Sequence, residues 1–183
     1  NTPRRRDVGL QNLYSFFRVN NNLSEIFLHY SNIGRDCARD FALALSQRQV
    51  KSLKRIGMAH NNLGDESFAD IVQALWAQPQ FEELVCSTNN IGRGGCVRLG
   101  AMMRERISNL RDLNLPGNVI DDECLKILVP GLCNNKQLEE LDISSDKITA
   151  AGLRALSPLL QSDSCSLRRL IVRDMTFGDE EAA

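Results

Sequence analysis

The sequence predicts an α/β solenoid in which short parallel strands alternate with helices, and three observations predict it. Residues 53–63 read Leu-x-x-Ile-x-Met-x-x-Asn-x-Leu, a period-two strand pattern that ends in an asparagine suited to a turn. The same pattern starts again at residues 23, 53, 81, 110, 138 and 167. Each interval leaves room after the strand for the helix that a parallel connection requires.

Apolar residues mark the predicted core of each copy. The first, fourth and sixth residues are expected to point inward, as with Leu53, Ile56 and Met58. Phe68 and Ile71 continue this core at helical spacing. Because parallel strands stack about 4.8 Å apart and helices about 8–10 Å apart, the sheet should line a concave face with the helices outside.

The ninth residue of each copy is predicted to be structural. A side-chain amide there can bond to backbone groups that the turn leaves unpaired. Asn61, Asn89 and Asn118 fill this position. The copies that depart from it carry Ser31, Asp146 and Met175. Turns in the first and last copies are therefore expected to be less regular.

This pattern is the leucine-rich-repeat signature. Its long period, with Gly95 and Gly152 opening helical halves, resembles the ribonuclease-inhibitor-like subfamily. That subfamily also includes the Ran GTPase-activating protein, the repeat domain of capping-protein linkers and many immune-sensor repeat domains. The resemblance implies a right-handed horseshoe of strand and helix units, a fold that hosts many activities.

Residues 1–183 are predicted to form a single repeat array. Residues 1–22 read as a partial N-terminal repeat with its helical half at residues 9–22, and the copy that starts at 167 is truncated. Both ends therefore break within a repeat. We expect a segment of a longer array or of a multidomain protein, with uncapped repeat ends open to self-association.

Composition argues against several kinds of partner. The formal net charge is −1, which disfavours non-specific nucleic-acid binding. No apolar run reaches the roughly 18 residues of a membrane span. Cys86, Cys96 and Cys124 fall at small apolar positions, and no two cysteines are spaced as Cys-x-x-Cys. All six are predicted to be free thiols in a reducing, cytoplasmic setting.

No catalytic residue, cofactor site or metal site is predicted. His29 and His60 lie one strand apart but lack a third zinc ligand, because Cys86 is expected to face the core. No Ser-His-Asp or Cys-His pair is legible, and the glycine-rich residues 92–95 read as a repeat turn without a phosphate-binding lysine. The sequence therefore predicts a protein that is not an enzyme.

An aromatic patch on the concave face is the first candidate binding site. It consists of Phe27, His29, Tyr30 and His60. Exposed aromatic side chains are enriched at interface hot spots, so this patch is expected to bind a protein or peptide partner. The alternative is that Phe27 and Tyr30 pack against a preceding repeat.

Acidic residues extend the predicted surface. The third residues of the copies are, in order, Glu25, Arg55, Glu83, Asp112, Glu140 and Arg169. Opposite charges on adjacent strands are expected to pair. Glu83, Asp112 and Glu140, with Val85 and Asp142 from the fifth-position row, complete the candidate contact set. This set would attract a basic partner segment, and a solvated charged sheet is the alternative.

The sequence-based hypothesis is a non-catalytic scaffold that binds a protein or peptide partner on its concave face. The alternative, implied by the resemblance to the Ran activator, is a GTPase-activating or other regulatory repeat domain. A GTP-hydrolysis assay with candidate small GTPases separates the two hypotheses, because acceleration by substoichiometric protein requires the regulatory function.

Overall fold

The computed structural model describes residues 22–46, 52–105, 109–145 and 147–175, which alternate between strands and helices. The strands are β1 (Glu25–Phe27), β2 (Arg55–Gly57), β3 (Glu83–Val85), β4 (Asp112–Asn114), β5 (Glu140–Asp142) and β6 (Arg169–Ile171). The helices are α1 (Arg35–Ser46), α2 (Gly64–Leu75), α3 (Arg93–Glu105), α4 (Asp122–Asn134), α5 (Ala150–Ala155) and α6 (Ser157–Leu160). None of the helices described is long and apolar enough to cross a lipid bilayer.

The strands form one parallel sheet in the order of the sequence, from β1 to β6. The register places the same repeat position side by side, so that Ile26, Ile56, Leu84 and Leu113 follow one another across the sheet. This arrangement confirms the predicted strand and helix solenoid. The partial repeat predicted for residues 1–22 lies outside the described residues, apart from Asn22, as does the chain beyond Met175.

The core lies between the sheet and the helices as one continuous cluster. The predicted inward positions are buried in the central copies, with Leu53, Ile56 and Met58 fully enclosed. Phe68 and Ile71 of α2 complete the same layer from the helical side. Because side chains alternate along a strand, burying these positions turns the third and fifth residues of each copy to the other side of the sheet. We call that side the sheet face.

Buried asparagine side chains join each turn to its neighbours. Asn89 has no exposed surface, and its Oδ1 accepts a hydrogen bond from the backbone N–H of Asn61 at 3.0 Å. Its Nδ2 donates to the carbonyl oxygens of Met58 at 2.8 Å and Ser87 at 3.0 Å. The backbone N–H of Asn89 in turn donates to Asn118 Oδ1 at 2.9 Å. These contacts form an amide ladder through the turns of consecutive copies.

The first turn is held by the same ladder, contrary to the irregular turn expected from its serine. The backbone N–H groups of Ser31 and Ile33 both donate to Asn61 Oδ1, at 2.9 and 3.2 Å. The amide of the second copy thus satisfies the turn of the first. In the fifth copy the ninth residue lies outside the described ranges, and the Ser145 hydroxyl donates to the Ile120 carbonyl at 2.8 Å.

All six cysteines lie within the described residues and carry free thiols, as the sequence predicted. Cys86, Cys96 and Cys124 are buried in the core. Burial raises the pKa of the Cys86 thiol to about 12, so this group is protonated at neutral pH and serves as a small apolar side chain.

Replacing Asn89 by alanine tests the ladder. It leaves the buried backbone N–H groups of Asn61 and Leu63 without an acceptor, so the free energy of unfolding should fall by about 3 kcal/mol. Ser31→Ala is the matched control, because Ser31 holds the ninth position but is exposed, and a loss of at most about 0.5 kcal/mol is expected. Urea unfolding followed by circular dichroism measures both variants. Equal losses would refute the structural role of the amide.

Candidate functional site

The aromatic patch consists of two stacked ring pairs in the first two copies. Phe27 and His29 stack with their ring centroids 5.8 Å apart and an interplanar angle of 23°. Tyr30 and His60 stack at 4.4 Å and 8°. Phe27 is 53% exposed and Tyr30 is 75% exposed. The structure therefore brings the four predicted patch residues together. The alternative, that Phe27 and Tyr30 pack against a preceding repeat, concerns residues outside the described ranges.

Gly57 provides the space in which two of these rings lie. A Cβ atom on Gly57 would stand 2.6 Å from the His29 ring and 2.7 Å from the Phe27 ring, closer than real Cβ contacts come. His29 is also held by the backbone, because its Nδ1 accepts a hydrogen bond from the Ala59 N–H at 3.0 Å. The ring pair on the sheet face thus depends on the fifth position of the second copy being glycine.

Ion pairs connect the third-position residues of adjacent strands, as the alternating charges predicted. Arg55 bridges two neighbours, with its Nη1 at 3.2 Å from Glu25 Oε1 and its Nε at 3.0 Å from Glu83 Oε2. Arg169 pairs with Glu140 at 2.8 Å. Both guanidinium groups are about half exposed or more, so each pair contributes about 0–1 kcal/mol to stability. Their main consequence is to neutralise Glu83 and Glu140, the two carboxylates on either side of Asp112.

Asp112 is the carboxylate of this row that no cation neutralises in the described part of the chain. It lies between Glu83 and Glu140 in register, and its Oδ1 is buried without a hydrogen-bond partner among the described residues. Burial first, and then the negative charges of Glu140 and Glu83, raise the pKa of Asp112 to about 6, against the opposing effects of a hydrogen bond with Asn114 and the positive charge of Arg169. The centre of the sheet face therefore carries a carboxylate whose ionisation is unfavourable.

Asp142 does not lie open on the sheet face as its fifth position led us to expect. It is only 8% exposed. Its Oδ1 accepts hydrogen bonds from the backbone N–H of Ser144 at 3.0 Å and from the Ser144 hydroxyl at 2.7 Å. This local bond folds the carboxylate into its own turn, which corrects the expectation. Val85, the neighbouring member of the predicted set, is half-buried.

The residues described contain no group of three or more His, Cys, Asp or Glu side chains placed to hold a metal ion. His29 and His60 belong to different ring pairs, and His29 Nδ1 is already an acceptor for the Ala59 N–H. The geometry of the patch thus presents ring faces rather than converging ligands.

Sequence reasoning missed a second surface beside the patch, at the turns that follow the strands. Tyr30, His60 and Thr88 hold the eighth position with φ of 55°, 58° and 51°, in the left-handed region. An open cleft of about 600 Å³ runs along these turns. Its lining residues are His60, Asn62, Thr88, Asn90, Gly117 and Val119. We call this surface, together with Tyr30, the turn edge. The sequence signal that could have indicated it is Gly117, because a glycine at the eighth position of the fourth copy suggests a left-handed backbone in these turns.

The sequence is similar to those of a ribonuclease inhibitor and of NACHT, LRR and PYD domains-containing proteins. The ribonuclease inhibitor of Mus musculus is 28% identical over 164 residues, which cover 90% of this chain and 36% of that protein. The NACHT, LRR and PYD domains-containing protein 3 of Homo sapiens is 29% identical over 174 residues, or 94% of this chain and 16% of that protein. The chain therefore spans well under half the length of these relatives. No protein-family model matches it.

A solved structure titled Leiomodin-1 Actin-Binding Site 2 (ABS2) has a similar fold. The TM-score is 0.65, and the match covers 87% of this chain and 90% of that chain. Sequence identity is 17%, so the likeness concerns the fold alone.

Replacing Asp112 by asparagine should stabilise the protein at about pH 8 by about 1 kcal/mol, a value reduced for solvent screening at this partly exposed residue. The pKa of about 6 in the folded state lies above the ordinary 3.8, so ionisation opposes folding. The contribution of Asp112 to the stability of the parent protein should therefore fall as the pH rises from about 4 to about 6, and the gain from Asp112→Asn should vanish near pH 4.

Urea unfolding at several pH values measures this difference. Glu139→Gln is the control, because Glu139 is paired with both Arg111 and Arg168 and its neutralisation should bring no gain. An Asp112→Asn variant no more stable than the parent at about pH 8 would contradict the description of this site.

Proposed function

Because the chain is a leucine-rich-repeat protein of the ribonuclease-inhibitor-like type, we propose that it is a non-catalytic scaffold that holds a protein or peptide partner on its sheet face. The names of its relatives support a binding role: one is an inhibitor of a ribonuclease, and the structurally similar chain is an actin-binding site of leiomodin. The parallel sheet supplies a rigid surface whose outward side chains vary from copy to copy without disturbing the core.

The observation that carries the proposal is the exposure of the aromatic patch. Phe27 and Tyr30 leave large ring surfaces in water although the adjoining core is well packed. Stacked rings lose little conformational freedom when a partner covers them, which is why tyrosine and other aromatic residues dominate binding energies at interfaces. The patch therefore supplies the anchor of the proposed interface.

The carboxylates in the middle of the sheet face supply the second contact. Arg55 and Arg169 neutralise Glu83 and Glu140, which leaves Asp112 between them without a cation in the described chain. A lysine or arginine of the partner would supply that missing charge and favour the ionised carboxylate. The proposed partner thus combines an apolar or aromatic anchor with a basic segment.

Free thiols support a cytoplasmic location for this scaffold. All six cysteines are unpaired by disulfides, as is usual for proteins of a reducing compartment.

Alanine variants of the patch test the proposed interface. Tyr30→Ala and Phe27→Ala should each weaken partner binding by about 5- to 30-fold, that is about 1–2 kcal/mol, because each removes an anchor ring. The melting temperature should change little, since both side chains are mostly exposed. Affinity capture from a cell extract identifies the partner, and titration calorimetry with the purified partner gives the dissociation constants.

Leu43→Ala is the matched control for these variants. Leu43 is an apolar side chain of α1, 55% exposed and remote from the sheet face, so its loss should leave affinity unchanged. A loss of binding for Leu43→Ala with unchanged binding for both patch variants would move the interface to the helices and refute the proposal.

A further inference from the structure

We propose that the turn edge binds an uncharged, extended segment of the protein partner that presents an aromatic or proline ring to Tyr30 and His60. This inference rests on the proposed function, and it adds a second contact region with a chemistry different from that of the acidic sheet face.

Tyr30 and His60 hold a backbone position that does not require an aromatic ring. Both residues have φ in the left-handed region, which is unfavourable for residues with a Cβ and is the usual place of glycine. Gly117 occupies the same eighth position in the fourth copy with φ of 66°. The fold therefore accepts glycine there, and Thr88 and Asp174 hold the same position with φ of 51° and 57°. Tyr30 and His60 differ from these residues in that their rings stack on each other.

The tenth-position residues form a useful contrast. Asn32, Asn62 and Asn90 also have positive φ, between 50° and 59°. Asparagine tolerates this region better than other residues with a Cβ, so the turn itself explains its presence. Histidine is also enriched in this region, whereas tyrosine has no such advantage, so the side chain of Tyr30 is what distinguishes it from glycine at this position.

The Tyr30 and His60 rings form a platform that a partner ring can extend. They are nearly parallel, with an interplanar angle of 8° and a centroid separation of 4.4 Å. Tyr30 is three-quarters exposed, so a large part of its ring surface faces solvent. A planar aromatic ring or a proline of the partner would bury this surface by stacking.

The cleft beside the platform favours a neutral peptide. Among the residues that the structure describes, no acidic, lysine or arginine side chain lines it, so a charged group entering it would lose water without gaining a counter-ion from them. The side chains of Asn62, Thr88 and Asn90 line the cleft. Their amide and hydroxyl groups offer donors and acceptors that match peptide groups.

A peptide is favoured over a carbohydrate because the cleft continues the proposed protein interface. His60 belongs both to the cleft lining and to the Tyr30 ring pair. Tyr30 is one residue from His29, whose ring stacks on Phe27 of the sheet face. One extended segment can therefore pass from the aromatic patch over the turns into the cleft.

Glycine and alanine variants measure whether the rings serve the fold. Tyr30→Gly should melt about 2–4 °C above Tyr30→Ala, and His60→Gly the same amount above His60→Ala, because only glycine relieves the left-handed backbone. Thr88→Gly compared with Thr88→Ala is the internal reference for the eighth position. Glycine variants that melt well below the parent protein would overturn the claim that the fold gains nothing from these rings.

A phage-displayed library of random linear peptides is the binding probe, selected on the parent protein and tested on the Tyr30→Gly/His60→Gly double variant. We expect uncharged peptides with an aromatic residue or proline, whose affinity falls at least about tenfold on the double variant and is unchanged by Asp112→Asn.

Lysine- or arginine-rich peptides that depend on Asp112 but bind the double variant equally well would overturn this inference while leaving the proposed function intact. Peptides whose affinity is unchanged by the double variant, by Phe27→Ala and by Asp112→Asn would overturn both this inference and the proposed function. Enrichment of no peptide, with binding to a panel of immobilised glycans that the double variant loses, would overturn the peptide assignment.

Discussion

The amide ladder through the turns is the interaction on which the rest of this structure depends. Asn61, Asn89 and Asn118 are buried, and each satisfies backbone groups of its own copy and of the copy before it. Unpaired backbone groups in that position would be strongly unfavourable, so each turn is fixed relative to its neighbours. Fixed turns keep the strands in register, and the register decides which side chains meet on the sheet face.

The strand register places the same repeat position of each copy side by side, so side chains that differ between copies form rows across the sheet. The core positions repeat from copy to copy, while the third, fifth and eighth positions change freely because they point away from the core. Aromatic rings are therefore concentrated on β1 and on the turns that follow β1 and β2, and Asp112 lies at the centre of the sheet face. This separation lets a constant scaffold carry a specific surface.

The sequence predicted the features that depend on the repeat period, namely the core positions, the strand alignment and the cross-strand ion pairs. The spacing of apolar residues was enough to place Ile56, Leu84 and Leu113 in the core and to align six strands in one sheet. The alternating charges were enough to predict that Arg55 would pair across the strands. These features follow from repeat position alone, because every copy places the same position in the same environment.

The features that periodicity could not predict depend on individual neighbours. Asp142 shares its position with Phe27 but is buried, because Ser144 two residues later binds its carboxylate. The first turn is regular because the second copy supplies Asn61 to it. Asp112 has no ion pair of its own in the described chain because Arg55 pairs with Glu83 and Arg169 pairs with Glu140. Such local choices are set by side-chain geometry and leave no periodic signal.

The most direct test of this account is hydrogen–deuterium exchange of the protein with and without its bound partner. The account predicts slower exchange in β1, β2 and the turns that follow them, at residues 25–32 and 55–62, with α1 and α2 unchanged. Slower exchange confined to α1 and α2, with the strands and turns unaffected, would contradict it.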